Sequence, residues 1–329
     1  MKALVVRGPG DVALDDLATP VAREGEVLVR PLVSGLCGTD LEIVAGTIDE
    51  AYVHYPVALG HEWVGRREGD EDGPLVVVEG IIPCGHCDEC ARGATNRCRT
   101  YDEIGFTRHG ALAQSIAVPA HLVHELDPEV DALDAALVEP MAVVWRALSR
   151  ARVSAGSRCL VIGDGTVALL GALLLRRFDP TSVTMLGLRP AQGELAARAG
   201  VDDFVTDLAG RRFDVVIEAA GQAPAIAAAL GAADRGGTVV LLGLPAHGTA
   251  VDLFPDDVVN NDLVIQGSFS YTRQSWAEVV ALLNDGSLRP SFLVTHRFDL
   301  ENWREALDTL AQVPSDQPRG KVVITLGDI

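Results

Sequence analysis

The chain has 329 residues, of which 48% are hydrophobic and 22% are charged. This length predicts two domains with cores that need no disulfide bonds, and the composition excludes a disordered or fibrous protein. The net charge of −19 excludes nucleic acid and anionic membrane surfaces as partners, because both would be repelled. The sequence has neither a membrane-spanning apolar stretch nor the apolar core of a signal peptide, so we expect a cytoplasmic protein.

The first half of the chain contains short β segments. Apolar runs at Ala3–Val6 and Val27–Val33 are bounded by glycine and proline, which predicts strands. Glycine, proline and histidine punctuate the sequence to about residue 125. Helical spacing of apolar residues then begins and predicts a helix over residues 133–151.

Within this half, three residue types with an affinity for metal occur in two short segments. Cys37, His61 and Glu62 offer a thiolate, an imidazole and a carboxylate, and three protein ligands with an open fourth position define a catalytic zinc site. Glu139 offers a second carboxylate as an exchangeable ligand. Spacing alone does not link these segments. Considered singly, Cys37 is more often a small buried hydrophobic residue and His61 more often a structural histidine.

A second group of cysteines lies in a loop at short, regular spacing, at Cys84, Cys87, Cys90 and Cys98. Four thiolates at this spacing can enclose a tetrahedral ion and leave no open position, which predicts a structural zinc site. An iron–sulfur cluster is the alternative. We disfavour it because the last gap is seven residues and Arg99, not proline, follows the fourth cysteine.

From residue 158 strands alternate with helices, which predicts a parallel sheet covered on both faces. The predicted strands are Cys159–Ile162, Val183–Leu186, Phe204–Val205, Asp214–Ile217 and Thr238–Leu242, and the predicted helices are Val167–Phe178, Glu194–Ala199, Ala223–Leu230 and residues 274–284. A last strand, Lys321–Thr325, is not needed by this α/β unit.

The turn after the first of these strands has the residues of a dinucleotide site. Gly163 permits a tight turn, and Gly165 lets the backbone approach a pyrophosphate where Thr166 and Val167 open a helix. Ala168 stands where a third glycine is usual, and the fingerprint tolerates alanine there. We therefore expect Gly163, Gly165, Thr166 and Val167 to bind the cofactor.

The end of the second strand indicates which dinucleotide is bound. An NAD site places an acid there for the ribose 2′-hydroxyl, whereas this sequence has Gly187 and Arg189. Gly187 leaves room for a 2′-phosphate and Arg189 can bind it, so NADP(H) is preferred over NAD(H). The alternative is that Arg189 is a solvated loop cation.

Taken together, these motifs resemble the zinc-dependent medium-chain dehydrogenase/reductase family, most closely its polyol, glucose and cyclitol dehydrogenase branches. The resemblance covers nearly the whole chain and implies an α/β fold in two domains. One is a GroES-like, mostly-β catalytic domain at residues 1–149, completed by residues 288–329. The other is a doubly wound parallel-sheet (Rossmann) domain at residues 150–287. The return of the chain to the first domain explains the last strand.

The resemblance also implies a mechanism. A zinc ion held by Cys37, His61 and Glu62 binds the substrate oxygen, and a hydride passes between the substrate carbon and the nicotinamide. Thr39 relays the hydroxyl proton, and Glu139 enters the metal shell or holds its water. Glu42 stands where many relatives have the histidine that passes the proton to solvent, so either Glu42 takes that role or the relay differs.

Further residues are assigned by position. Gly221 and Ser268 are expected beside the nicotinamide. Tyr52, His54, Gln114 and His296 are candidate substrate contacts, each balanced evenly against an ordinary structural role.

Three functions follow from these features. The first is a zinc-dependent oxidoreductase acting with NADP(H) on a secondary alcohol or ketone of a polyol, sugar or (amino)cyclitol. The second is a zinc alcohol or threonine-type dehydrogenase of a simpler substrate. The third is a non-catalytic nucleotide-binding protein, whose signature would be loss of the metal ligands. The expected partners are a small polar alcohol or ketone and further copies of the chain, in a homodimer or homotetramer.

Overall fold

The computed structural model describes residues 1–312 and 316–327 and divides into two compact units. The first unit comprises Met1–Glu139, Thr272–Val313 and Lys321–Ile329. The second unit comprises Pro140–Tyr271 and Pro314–Gly320.

The strands and helices follow in chain order. The strands are β1 Lys2–Gly8, β2 Asp11–Asp16, β3 Glu26–Leu36, β4 Val57–Ala58, β5 Glu62–Arg67, β6 Val76–Val78, β7 Ile81–Ile82, β8 Asp102–Glu103, β9 Ile116–Pro119, β10 Val123–Glu125, β11 Arg158–Ile162, β12 Ser182–Leu186, β13 Asp203–Val205, β14 Phe213–Glu218, β15 Ala233–Leu241, β16 Val264–Gly267, β17 Val294–Asp299 and β18 Lys321–Thr325. The helices are α1 Gly38–Ala45, α2 Asp88–Ala91, α3 Ala132–Ala135, α4 Val138–Arg150, α5 Thr166–Leu175, α6 Gly193–Arg198, α7 Ala223–Ala232, α8 Pro255–Asn260, α9 Arg273–Asn284 and α10 Trp303–Ala311.

The first unit is built on a mainly antiparallel sheet with the order β10-β6-β5-β3-β18-β17, and β9 also pairs with β3. Strand β3 lies at its centre: Gly35 is opposite Glu62 on one side, and Leu36 is opposite Val322 on the other. The start of β5 and the start of β18, far apart in sequence, therefore flank the same end of β3. The hydrophobic core beside it includes Leu36 and Ile43.

The second unit contains a parallel sheet with the order β13-β12-β11-β14-β15-β16. The interior residues of its central strands, Cys159–Ile162 of β11 and Val183–Met185 of β12, are buried, as expected when helices cover both faces. Their carboxyl ends are aligned, since Ile162 pairs with both Leu186 and Glu218. Loops that follow these strands therefore meet at one edge, where open α/β sheets bind ligands. The predicted fold class is confirmed.

The helix predicted over residues 133–151 is wrong in one respect: it is divided into α3 and α4. Pro140 explains the break. A helix running through this position would bring the proline ring against the carbonyl group of Ala136. In the first turn of α4, by contrast, its missing N–H costs nothing.

The chain passes between the two units at Glu139–Pro140 and at Tyr271–Thr272. Helix α4 from Pro140 onward belongs to the second unit, and Trp145 packs there against Phe178 with ring centroids 5.5 Å apart. Helix α9 belongs to the first unit, where Trp276 lies 6.2 Å from the ring of His124.

Across the described part of the chain, none of the helices combines the length and the apolar character needed to span a bilayer.

Candidate active site

Three potential metal ligands converge in the first unit. The ligand atoms of Cys37, His61 and Glu62 all lie within 4.8 Å of one another, and His61 and Glu62 are buried. Cys37 immediately precedes α1, while His61 and Glu62 stand at the start of β5. Gly60 makes this entry possible: its φ is +103°, and a Cβ there would lie 2.6 Å from the backbone nitrogen of Leu112.

Asp40 fixes the relative position of two of these ligands. One oxygen of its fully buried carboxylate accepts a hydrogen bond from the Cys37 backbone N–H at 2.8 Å, and the other lies 3.5 Å from Nδ1 of His61. Burial lowers the pKa of His61, but Asp40 and Cys37 raise it to a net value well above the ordinary one. This role of Asp40 was not predicted from the sequence, although Asp40 directly follows the Cys-Gly-Thr segment.

Lys321 also belongs to this site and was also missed. Its Nζ forms a buried ion pair with Oε2 of Glu62, and both side chains are at most 3% exposed. Burial lowers the pKa of Lys321, but the charges of Glu62 and Cys37 outweigh it and raise the net value. Gly35 leaves the space for this pair, since a Cβ there would lie 2.5 Å from Glu62 Oε2 and 2.6 Å from Lys321 Cε. The available signal was a lysine opening an apolar strand.

Two further acids, Glu139 and Glu103, interact with the charges of the metal-ligand trio. Burial, followed by the charge of Glu62, raises the pKa of Glu139 to about 8. Burial likewise raises the pKa of Glu103 to about 7, with His61 acting in the opposite direction. Glu139 is thus close to the ligands but outside the converging trio, and Glu103 was not anticipated.

This donor set fits a zinc ion. A thiolate, an imidazole and a carboxylate gathered in a buried place supply three of four tetrahedral ligands and leave one position for a substrate. The carboxylate–histidine contact made by Asp40 is of the kind that orients metal-bound imidazoles.

The predicted relay and substrate residues lie at varying distances from this group. Thr39 Oγ1 is 3.6 Å from Cys37 Sγ. Glu42 lies on α1, half-buried, and burial raises its pKa. The backbone N–H of His54 donates to the carbonyl group of Phe106 at 3.0 Å, and the Phe106 ring lies 5.2 Å from that of His61.

The other three candidate substrate residues have more peripheral settings. Tyr52 is 55% exposed in the loop before His54. His296 lies on β17 opposite Val322, and its ring contacts Thr295 Oγ1 at 2.8 Å. Gln114 is exposed, and its side-chain oxygen accepts a hydrogen bond from the Lys2 backbone N–H at 2.8 Å.

The four lobe cysteines form a second converging group, with ligand atoms again within 4.8 Å of one another. The Sγ–Sγ distances are 3.9 Å for Cys84–Cys90, 3.5 Å for Cys87–Cys90 and 3.9 Å for Cys87–Cys98. Tetrahedral zinc with bonds of about 2.3 Å places its sulfur atoms about 3.8 Å apart. The geometry therefore fits a closed, four-sulfur zinc site.

In the second unit, the turn after β11 has the shape expected of a dinucleotide site. Gly163 has φ +116° and donates a hydrogen bond to the carbonyl group of Leu186 at 2.9 Å. Gly165 caps α5, whose first N–H groups face the start of the helix. The Ala168 side chain is buried in α5, so alanine is accommodated at the third glycine position.

Arg189 is buried and forms an ion pair with Asp164. Its Nη2 and Nε donate to Asp164 Oδ1 at 2.7 and 3.1 Å, and its side chain is 8% exposed. Asp164 also accepts from the backbone N–H groups of Leu188 and Arg189. Gly187 permits this approach, because a Cβ there would lie 2.8 Å from that of Asp164.

Gly221 follows β14 and Ser268 follows β16, two strands separated by β15, at the same carboxyl edge of the sheet. Gly221 has φ +64° and passes so close to Leu244 that a Cβ would lie 2.6 Å from its carbonyl oxygen. Glu218 Oε1 accepts the backbone N–H of Gly221 at 2.8 Å. The buried Ser268 Oγ has no hydrogen-bond partner within the described protein, so it is suited to a polar group of a bound cofactor.

Comparison with known proteins agrees with this geometry. Residues 23–128 match the alcohol dehydrogenase GroES-like domain, and residues 166–285 match the zinc-binding dehydrogenase family. The chain is 30% identical to an erythritol/L-threitol dehydrogenase of Mycolicibacterium smegmatis, covering 94% of both proteins. It is also 30% identical to an L-threonine 3-dehydrogenase of Paraburkholderia xenovorans, covering 98% of both.

A solved structure from Sinorhizobium meliloti 1021, described as a zinc-binding dehydrogenase bound to NADP, superposes with a TM-score of 0.89. It is 26% identical and covers 99% of both chains.

The fold and its two potential metal sites thus define a zinc-binding alcohol dehydrogenase. The chain belongs to the zinc-dependent medium-chain dehydrogenase/reductase family. The non-catalytic alternative is therefore wrong, and the protein acts on a small-molecule substrate with a nicotinamide cofactor.

Proposed function

We propose that this dehydrogenase transfers a hydride between NADP(H) and a secondary alcohol or ketone of a polyol, sugar or (amino)cyclitol. The observation that carries the proposal is the convergence of Cys37, His61 and Glu62, a donor set with room for a substrate oxygen. The polyol substrate named for the Mycolicibacterium relative supports the substrate class.

The residues at the end of β12 support the cofactor preference. An acid that would bind a free ribose 2′-hydroxyl is missing there, and Arg189 takes its place. The NADP in the Sinorhizobium structure supports the same preference.

In this proposal, a zinc ion at the trio supplies Lewis-acid polarisation of the substrate oxygen, and the nicotinamide carries the hydride. Asp40 keeps the His61 ring in place, and Lys321 balances the charge of Glu62. The Thr39 hydroxyl both accepts and donates, so it takes the substrate proton and passes it on. Glu42, one turn along α1, is the group that delivers this proton to solvent.

The test follows NADP+ reduction, with NAD+ in parallel, over tetritols, hexitols, aldoses, cyclitols, aminocyclitols and simple alcohols. We expect turnover of a polyhydroxylated compound with NADP+. Cys37→Ala should abolish turnover and remove one equivalent of bound zinc. The matched control Cys159→Ala, at a buried position of β11, should change neither. Turnover of simple alcohols alone would contradict the substrate class, and a clear preference for NAD+ would contradict the cofactor.

A threonine-type dehydrogenase is the second candidate, because a relative of equal identity is an L-threonine 3-dehydrogenase. L-Threonine therefore belongs in the same panel. Efficient turnover of L-threonine without turnover of polyols would replace the first candidate by the second.

A further inference from the structure

The ion pair between Asp164 and Arg189 leaves Arg189 largely neutralised. The Asp164 carboxylate takes two hydrogen bonds from the guanidinium group, and both side chains are at most 13% exposed. A 2′-phosphate is doubly charged near neutral pH and requires cationic partners. A carboxylate beside the phosphate opposes binding, so Arg189 with Asp164 alone makes a weak phosphate site.

A second arginine is attached to the same place by Gln192, which is completely buried. The Gln192 side chain accepts a hydrogen bond from the Arg319 backbone N–H at 2.7 Å and donates to the Arg319 carbonyl group at 2.9 Å. The same amide group donates to the Asp164 carbonyl group at 2.5 Å. One buried side chain thus joins the segment containing Arg319 to the cofactor turn.

The guanidinium group of Arg319 lies in the electric field of this ion pair. Burial lowers the pKa of Arg319, the positive charge of Arg189 lowers it further, and Asp164 acts in the opposite direction. Arg189 and Arg319 each carry one positive charge and Asp164 carries one negative charge, so this group has a net charge of +1. The whole chain, by contrast, has a net charge of −19. The positive charges of Arg189 and Arg319 are therefore near each other at the end of β12, the second strand of a dinucleotide-binding sheet.

We infer that Arg319 binds the 2′-phosphate of NADP(H) together with Arg189, and that Gln192 positions Arg319 for this contact. Asp164 is then the group that orients Arg189, through its hydrogen bonds to the backbone and side chain of that residue. This inference rests on the proposed NADP(H) preference. It extends the phosphate site to Arg319, which lies far from Arg189 in the sequence.

The test measures binding of two cofactor fragments by calorimetry, without substrate. Adenosine 2′,5′-bisphosphate carries the 2′-phosphate, and 5′-AMP lacks it. We expect the wild-type protein to bind the bisphosphate at least about tenfold more tightly, as charge-assisted contacts to one phosphate allow. Arg319→Gln should remove most of that ratio and leave 5′-AMP binding unchanged, and Arg319→Lys should retain part of it.

The control is Arg235→Gln, which replaces an exposed arginine of the same unit and should change neither affinity. If the wild-type protein does not discriminate between the fragments, the NADP(H) preference itself is overturned. If it discriminates and Arg319→Gln keeps the full ratio, only the role of Arg319 is overturned. An equal loss for both fragments would also overturn it, because Arg319 would then support the turn generally.

Discussion

At the scale of single residues, the metal trio depends on neighbours that do not bind metal. Glu62 is buried against Lys321, and Cys37 and His61 are both in contact with Asp40. Charged groups are buried at a cost of several kcal/mol each unless they are paired, so each partner contributes to the site.

Lys321→Met should destabilise the protein by about 3 kcal/mol, because it leaves the Glu62 carboxylate buried without a counter-charge. Unfolding by urea of the metal-free protein, followed by fluorescence, measures this loss, and Lys321→Arg should restore part of it. Lys2→Met is the matched control, since Lys2 is exposed on β1 and should be neutral. Equal stability of the Lys321→Met and Lys2→Met proteins would show that the ion pair contributes nothing.

Asp40→Asn should lower kcat by about 10- to 100-fold, and should lower the zinc affinity of the Cys37–His61–Glu62 site by a similar factor. This is the usual effect of losing a group that orients a metal ligand. The reason is the loss of the negative charge facing Nδ1 of His61. Competition with a zinc chelator measures the affinity. Asp49→Asn, in an exposed loop, is the control and should leave both quantities unchanged.

At the scale of elements, the four-cysteine lobe has little apart from metal to order it. Helix α2 is only four residues long and buries none of them. Cys98→Ala should therefore reduce bound zinc from two equivalents to one and make the segment cleavable by trypsin after the already exposed Arg92, Arg97 and Arg99, because the lobe loses its order. Cys159→Ala should keep both equivalents and resist cleavage. Metal analysis and limited proteolysis test this, and an uncleaved Cys98→Ala protein would contradict it.

The amino-terminal ends of three parallel strands are joined by Arg158, which pairs with Asp214 and Asp234 at 2.7 Å each. The hydrogen bond from Arg158 lowers the pKa of Asp214 below its ordinary 3.8. A lowered pKa stabilises the folded state above the ordinary value, and this stabilisation disappears as the pH falls through the folded-state value.

Arg158→Gln should therefore lower the apparent melting temperature at pH 7, and the difference from wild type should begin to shrink below pH ~4 and vanish only below the folded-state pKa of Asp214. Because the pair is more than a third exposed, the effect of Asp214 is about 0.5 kcal/mol. Melting curves over this pH range test the sign. Arg30→Gln, at an exposed position of β3, should show no pH-dependent difference.

Most elements of the second unit and the metal and nucleotide motifs could be predicted from the sequence, because each rests on short-range patterns. The apolar strands of the second unit and the short cysteine spacings are examples. Strands β2 and β4 to β10 of the first unit were not predicted, because most of them are too short to carry a pattern. Asp40 follows Cys37 closely but carries no pattern of its own. The pairing of Lys321 with Glu62 requires β18 to lie beside β3, and only the assembled sheet establishes that.

At the scale of the whole molecule, we propose self-association through the second unit. Strand β16 is the edge of its sheet, and several apolar side chains of this unit are more than half exposed: Leu244, Leu253, Phe254 and Val259. Exposed apolar surface of this kind marks an interaction site.

Light scattering should accordingly give the mass of a dimer or tetramer for the wild-type protein. Val259→Asp should shift this mass downward, because a charge at an interface opposes association. Val21→Asp is the control: Val21 is 83% exposed and lies in the first unit. A monomeric wild type, or equal masses for the two variants, would contradict this arrangement.

The distance in sequence between Glu62 and Lys321 has a consequence for biosynthesis. A ribosome adding about 5–20 residues per second makes the lysine on the order of tens of seconds after the glutamate. Throughout that interval the nascent chain contains the three metal ligands but not the ammonium group that neutralises one of them. The first unit therefore cannot adopt its final electrostatic state co-translationally, domain by domain, and must wait until the Rossmann domain has been synthesised.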